Sequence, residues 1–333
     1  MTAIATVGLT KAYPVGFWRP RPVLALDALT LQVGTGQVFG LLGPNGAGKT
    51  TTMKLLMGLV HPTSGSASLL GAPLTDVAVR GRIGYLPEQP YFYDYLTAEE
   101  LLTYIGGLYG LRGADLRARV ARRLDEAGLE AARRRPLRTY SKGMLQRVGL
   151  AQALLHDPEL VILDEPMSGL DPIGRRDVRT LILRLRQEGR TVLFSSHVLS
   201  DAEAVCSEVA ILAKGRLVMH GPLSQFADTP VRGWEVVATG VRADAAATLS
   251  AQAAQTHALG QGRYAFDLPE GASPEAFVAA LRTSGGALVS VTPVRESLEA
   301  VFLRHVVGVG EGSGRHAAPG ASTAHAAPSG EAR

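Results

Sequence analysis

Apolar positions along this chain follow two rhythms, and the switches between them mark the elements. Residues 1 to about 90 carry short apolar runs separated by glycine-rich turns, and GQVFGLLGPNGAGKTTTMKLLMGLV predicts a strand, a loop and then a helix. From about residue 91 to Asp157 the apolar residues recur at helical spacing, as in LTAEELLTYIGGLYGL and ADLRARVARRLDEAGL, so a helical insert is expected. Wholly apolar runs then return in LVILDEP and TVLFSSH, on either side of the helix candidate RRDVRTLILRLRQEG. Strands buried on both faces of a parallel sheet have this pattern.

Past about Val231 the runs WEVVATG, RYAFDL and ALVSVTP alternate around the helix candidates PEAFVAALRTS and RESLEAVFLRHV. A small appended α+β domain over 231–306 is expected. Beyond Val307 the residues are mostly Gly, Ala, Ser and Pro, with no aromatic, Leu or Ile, which predicts a disordered tail over 307–333.

Composition narrows the picture in three ways. A chain of 333 residues can bury a large core without staples, and its single cysteine, Cys206, sits in the periodic stretch DAEAVCSEVAILA as a structural thiol. The formal net charge is only +4. The densest basic stretch, Arg112 to Arg138, spaces its arginines among Leu, Ala, Val, Asp and Glu as a solvated helix face does, so no nucleic-acid partner is expected. No run of eighteen apolar residues occurs, and MTAIATVGLTKAY lacks the parts of a signal peptide. A cytoplasmic chain is expected, one that reaches a membrane only through a partner.

The chemistry begins at Gly43, Pro44, Asn45, Gly46, Ala47, Gly48, Lys49 and Thr50, which satisfy G-x-x-x-x-G-K-[ST] between a strand and a helix. Glycines there let successive backbone N–H groups and the helix N-terminus face phosphate oxygens. Lys49 is expected to neutralise the β- and γ-phosphates of ATP, Thr50 to offer its hydroxyl to Mg²⁺, and Thr51 to face the α-phosphate end. LVILDEP ends in Asp164, placed to reach the same Mg²⁺, and in Glu165, placed to take a proton from an attacking water. Ser141 is a natural N-cap, and Gly143 keeps the first turn of its helix open to an anion.

In this order the motifs resemble the nucleotide-binding subunit of ATP-binding cassette transporters over residues 1 to about 228. The matching residues are the phosphate loop, Gln89 in YLPEQP, the signature from Tyr140 to Met144, Leu160 to Asp164, Glu165, the loop from Ser168 to Asp171, and His197 in SSH. The resemblance implies a P-loop NTPase core of the α/β class with a helical signature subdomain at about 91–157. It implies catalytic roles for Glu165, His197 and Gln89, with Gln89 also touching Mg²⁺. It further implies ATP contacts from Tyr13 and, across a pair of cassettes, from Ser141, Lys142, Gly143, Met144 and Asp171. The signature reads YSKGM where LSGGQ is commonest, and PVGFWRPRP after Tyr13 makes Phe17 and Trp18 rival adenine-stacking residues. The segment RESLEAVFLRHV resembles the accessory domain of ABC-2 exporters. The implied partners are a separately encoded membrane-spanning permease and a second cassette, identical or sister. Ribosome- or DNA-remodelling cassettes are disfavoured by the single motif set, and phosphate-loop kinases by Ser141 and His197.

Overall fold

A computed structural model describes residues 1–16, 18, 21–227 and 231–295. Two long strands, β1 (Thr2–Val15) and β2 (Arg21–Gly34), pair antiparallel as a hairpin. The stretch PVGFWRPRP after Tyr13 is therefore partly strand, because Pro14 pairs with Pro22 and Val15 with Arg21. β3 (Val38–Leu42) leads into the phosphate loop and α1 (Lys49–Leu56), and β4 (Ser64–Leu69) with β5 (Ala72–Pro73) completes a four-stranded sheet in the order β2-β1-β4-β5.

β6 (Ile83–Leu86) precedes three helices, α2 (Ala98–Leu108), α3 (Gly113–Glu126) and α4 (Lys142–Leu154). Each starts or stops where the sequence supplies the chemistry. Thr97 and Glu100 form a reciprocal capping box at α2, and Ser141 Oγ accepts from Met144 N at α4. The chain then returns to the core through β7 (Leu160–Leu163), α5 (Pro172–Gln187), β8 (Thr191–Ser196), α6 (Leu199–Glu203), β9 (Glu208–Ala213), β10 (Arg216–Pro222) and α7 (Leu223–Ala227). The six-stranded sheet runs β10-β9-β3-β8-β7-β6, parallel throughout except for the edge strand β10. β3, β7 and β8 are buried along their whole length, as their unbroken apolar runs require.

Apolar cores lie on both sides of this sheet. Ile4, Leu9, Leu26, Phe39 and Met53 pack between the two sheets, while Val38, Phe194, Ile182 and Leu154 fill the opposite side. A third core, with Leu101, Val120, Leu124 and Leu155, belongs to α2, α3 and α4. Tyr140 joins it, and its hydroxyl donates to the Ala132 carbonyl at 2.7 Å.

The last described part has a sheet of its own, formed by β11 (Val231–Thr239), β12 (Gln255–Gly260), β13 (Arg263–Leu268) and β14 (Ala287–Arg295) in the order β12-β13-β11-β14. Two helices, α8 (Ala243–Ser250) and α9 (Pro274–Thr283), accompany it, and its core includes Val236, Phe266, Phe277 and Leu281. Two of these elements carry weak sequence signals: ADAAATLS has few large apolar residues to define a stripe, and β12 is an exposed edge strand. Most of RESLEAVFLRHV and all of 307–333 lie outside the described residues.

Candidate functional site

The loop after β3 wraps a cavity of about 350 Å³ lined by Ala25, Asn45, Gly46, Ala47, Gly48, Lys49, Thr50, Thr51, Glu88 and Glu165. Two glycines make the loop possible. Gly43 has φ 155° and Gly48 φ 105°, and a Cβ on Gly48 would lie 2.6 Å from the Ala25 carbonyl oxygen. Gly48 caps α1 with no side-chain hydrogen bond, which leaves the first N–H groups of the helix facing the cavity. Ala47 is buried beside Gly43, whereas Asn45 and Gly46 form the open lip. A larger cavity of about 510 Å³ lies among α3, α4 and α5 and contains none of the phosphate-loop residues.

Lys49 is 6% exposed, and its Nζ donates to the carbonyls of Gly43 at 2.7 Å and Pro44 at 3.2 Å. The same ammonium lies 3.2 Å from Glu165 Oε1. Glu165 Oε2 is 2.8 Å from His197 Nδ1, so one carboxylate is held between the phosphate-loop lysine and the histidine after β8. Glu165 is 7% exposed and has φ 49°, a conformation uncommon for a residue with a side chain.

Asp164 is fully buried at the end of β7. Its Oδ1 accepts from Ser195 Oγ at 2.7 Å, and the same Ser195 oxygen accepts from Glu165 N at 2.8 Å. A single hydroxyl thus sets both carboxylates. Burial raises the Asp164 carboxyl above its ordinary value, the Ser195 and Thr50 hydroxyls partly offset this, and the charges of Glu88 and Glu165 add to the rise. Asp164 Oδ2 is buried without a hydrogen-bond partner. An orphaned carboxylate oxygen with the Thr50 hydroxyl acting on the same group fits a hard divalent cation such as Mg²⁺.

The remaining expected residues divide into near and far. Tyr13 lies on β1 opposite Val23, two residues before the pocket-lining Ala25, with Lys11 Nζ 5.0 Å from its ring centroid. Trp18 is 90% exposed, and Phe17 lies outside the described residues. Gln89 is exposed and absent from the cavity wall, where its neighbour Glu88 stands instead. Ser141, Lys142, Gly143 and Met144 are also absent from that wall, since they open α4. Lys142 lies against the loop from Ser168 to Asp171, because a Cβ on Gly169 would fall 2.5 Å from its Nζ. Asp171 caps α5 by accepting from Gly174 N at 2.7 Å.

Ser195 and Glu88 are the site residues that sequence reasoning overlooked. Ser195 is the first residue of SSH, one residue inside the end of a buried strand, where its only sequence signal is a hydroxyl in an otherwise apolar run. Glu88 carried no sequence signal and is placed by register, because Leu86 pairs with Leu163. Two residues further on, one strand reaches Glu88 and the other Glu165.

A family model described as ABC transporter matches residues 26–168. An uncharacterized ABC transporter ATP-binding protein of Synechocystis sp. is 44% identical over 305 residues, covering 91% of this chain and 84% of that protein. The Nod factor export ATP-binding protein I of Cupriavidus metallidurans is 36% identical over 287 residues, covering 84% of this chain and 92% of its own. The bacitracin transport ATP-binding protein of Enterococcus faecalis is 38% identical over 226 residues, covering 67% and 70%. Among solved structures, a dimeric ATP-binding cassette in a post-hydrolysis state bound to ADP and Pi superimposes with a TM-score of 0.61 at 25% identity, over 66% of this chain and 98% of that one. The likeness extends over nearly the whole chain, and it joins the phosphate loop and its facing carboxylates to proteins of one kind: this chain belongs to the ATP-binding subunits of ABC transporters and is an ATPase.

Proposed function

We propose that the chain powers export through a separately encoded membrane permease, with Glu165 as the general base of ATP hydrolysis. One observation carries the catalytic part: Glu165 is held between Lys49 and His197 at the rim of the phosphate loop. When the γ-phosphate draws the Lys49 ammonium away, Glu165 Oε1 is released to accept a proton from the attacking water. His197 keeps the carboxylate aimed through Oε2 and stands ready to contact the γ-phosphate. Thr50 and Asp164 would hold Mg²⁺, which would supply neutralisation of the charge that develops on the phosphate oxygens.

ABC ATP-binding subunits dimerise and work with membrane permeases. In this chain the signature residues Ser141 to Met144 stand apart from the phosphate cavity, which supports a site completed by a second cassette. The export direction rests on the relatives named for Nod factor export and bacitracin transport. For the permease, the loop after β6 and the outer side of α2 present Tyr91, Tyr93, Tyr95, Tyr104 and Leu108, all more than half exposed. Tyr93 and Tyr95 lie with ring centroids 6.0 Å apart, and exposed aromatics of this kind suit contact with an interfacial segment of a membrane protein. No helix among the described residues is long and apolar enough to cross a membrane, so membrane association is assigned to the permease and the chain to the cytoplasmic face.

Glu165→Gln tests the reading. ATP hydrolysis is expected to fall by about a hundredfold or more while ATP still binds. With ATP and Mg²⁺ the variant should elute as a dimer in size-exclusion chromatography. Hydrolysis near the wild-type rate would remove Glu165 from the mechanism, and loss of hydrolysis without dimerisation would point to a sister cassette as the partner.

A further inference from the structure

We propose that Glu88, and not Gln89, is the residue through which the segment after β6 meets the metal and phosphate end of the cavity, where it favours cation-loaded over free ATP. The inference rests on the nucleotide site proposed above and adds a selectivity element to it. Two observations place Glu88 there. It lines the cavity with Lys49, Thr50 and Glu165, whereas Gln89 does not. β6 and β7 run parallel with Leu86 opposite Leu163, and Asp164 N donates to the Leu86 carbonyl at 2.8 Å, so the two chains leave the sheet side by side.

Among the described residues the Glu88 carboxylate has no hydrogen bond and no ion pair, and it is exposed at the cavity wall. Asp164 Oδ2 is buried without a partner, and Glu165 shares the single Lys49 ammonium. Two carboxylates, Glu88 and Glu165, therefore line with one lysine a cavity suited to a polyphosphate, and the buried Asp164 adjoins Glu165 in the chain. Free ATP brings more negative charge into this field and is repelled, whereas a divalent cation offers Asp164 and Glu88 a common partner. A glutamine at position 88 would keep the shape and the oxygen ligand but lose the discrimination. Gln89, one residue further along the exposed loop, does not line the cavity.

The full-length chain tests the idea by titration with a fluorescent ATP analogue, once in EDTA and once with excess Mg²⁺. For Glu88→Gln, affinity in EDTA should tighten by roughly fivefold as repulsion is relieved, and the gain on adding Mg²⁺ should shrink by roughly tenfold. Gln89→Ala should leave both affinities within about twofold of wild type, as for a surface residue outside the site. A residue that only shapes the loop would weaken both affinities together, so opposite signs identify the charge effect. Parallel losses for Glu88→Gln, or a Mg²⁺ gain that depends on Gln89 and not on Glu88, would overturn the proposal. Failure of the wild-type chain to bind the analogue in either buffer would overturn the nucleotide site itself.

Discussion

Asp157 shows how a single residue carries structural weight away from the chemistry. Arg119, Arg122 and Arg123 of α3 all reach its carboxylate, as does Arg190 just before β8, so one side chain ties the helical subdomain to the core. Its neighbour His156 stacks on Tyr109 with ring centroids 3.8 Å apart and contacts the Ile83 carbonyl, adding a second tie at the same place. Burial alone would raise the Asp157 carboxyl, but the four arginines outweigh it and hold the pKa below the ordinary 3.8. A depressed carboxylate contributes stability above its unfolded value and loses it as pH falls through the folded one. Asp157→Asn keeps a side chain that tolerates φ 55° while removing the charge. At pH 7 it should destabilise by about 1 kcal/mol, a figure that allows for solvent screening of a partly exposed network. In urea unfolding series at several pH values, the gap between variant and wild type should be constant above about pH 4 and close as the pH drops further. A gap independent of pH would mean that packing, not charge, is what Asp157 supplies.

At the scale of elements, the position of α4 against the sheet decides where the signature residues sit. Gly84 in β6 is the point of closest approach, where a Cβ would overlap the Ala153 carbonyl oxygen and sit 2.9 Å from Pro158 Cγ. Backbone cannot yield as a flexible side chain can, so Gly84→Ala should cost about 1–3 kcal/mol, the usual penalty for overpacking a filled interior. The expected sign is a lower urea midpoint with an unchanged slope. α4 is also pinned at its middle, because Gln146 Nε2 donates to the Pro166 carbonyl at 3.0 Å, one residue past Glu165. Displacing α4 would therefore disturb the catalytic turn as well as the signature, and ATPase activity should fall with stability in this variant. Unchanged stability and activity would show that β6 and α4 can separate freely.

Across the whole molecule, separate cores suggest separate folding. Among the described residues, the core of β11 to β14 draws on residues between Trp234 and Val291, whereas the cassette cores end at Leu223. We propose a boundary near residues 228–231, with 1–228 as the cassette and 231–306 as the accessory domain. A chain ended after Ala227 should stay soluble, keep ATP hydrolysis within about threefold of the full chain, and unfold in one cooperative transition. Circular dichroism melts and a phosphate-release assay check both parts. Aggregation or loss of hydrolysis would mean that the second sheet is needed to complete the cassette.

Much of this protein follows from local sequence rules. Apolar runs and turn residues mark the buried strands β3, β7 and β8. Ser141 starts α4 because a hydroxyl before a helix satisfies an N–H that nothing else can. The spacing of Gly43, Lys49 and Thr50 specifies a phosphate loop because only that order gives a left-handed turn, a free helix N-terminus and a cation in one place. Other features depend on pairings between segments far apart in the chain. Ser195 binds Asp164 and Glu165 from a strand 30 residues away, and no local pattern distinguishes it from Ser196. The choice between Glu88 and Gln89 is likewise open in the sequence, where the cassette resemblance points to the glutamine and no pattern points to the glutamate. Parallel register decides it, because hydrogen bonds between β6 and β7 place Leu86 level with Leu163 and carry Glu88 alongside Glu165. Residue type tells which chemistry is possible, but only the packed sheet fixes which carboxylate stands at the phosphate loop, since distance in space is set by strand pairing and not by separation along the chain.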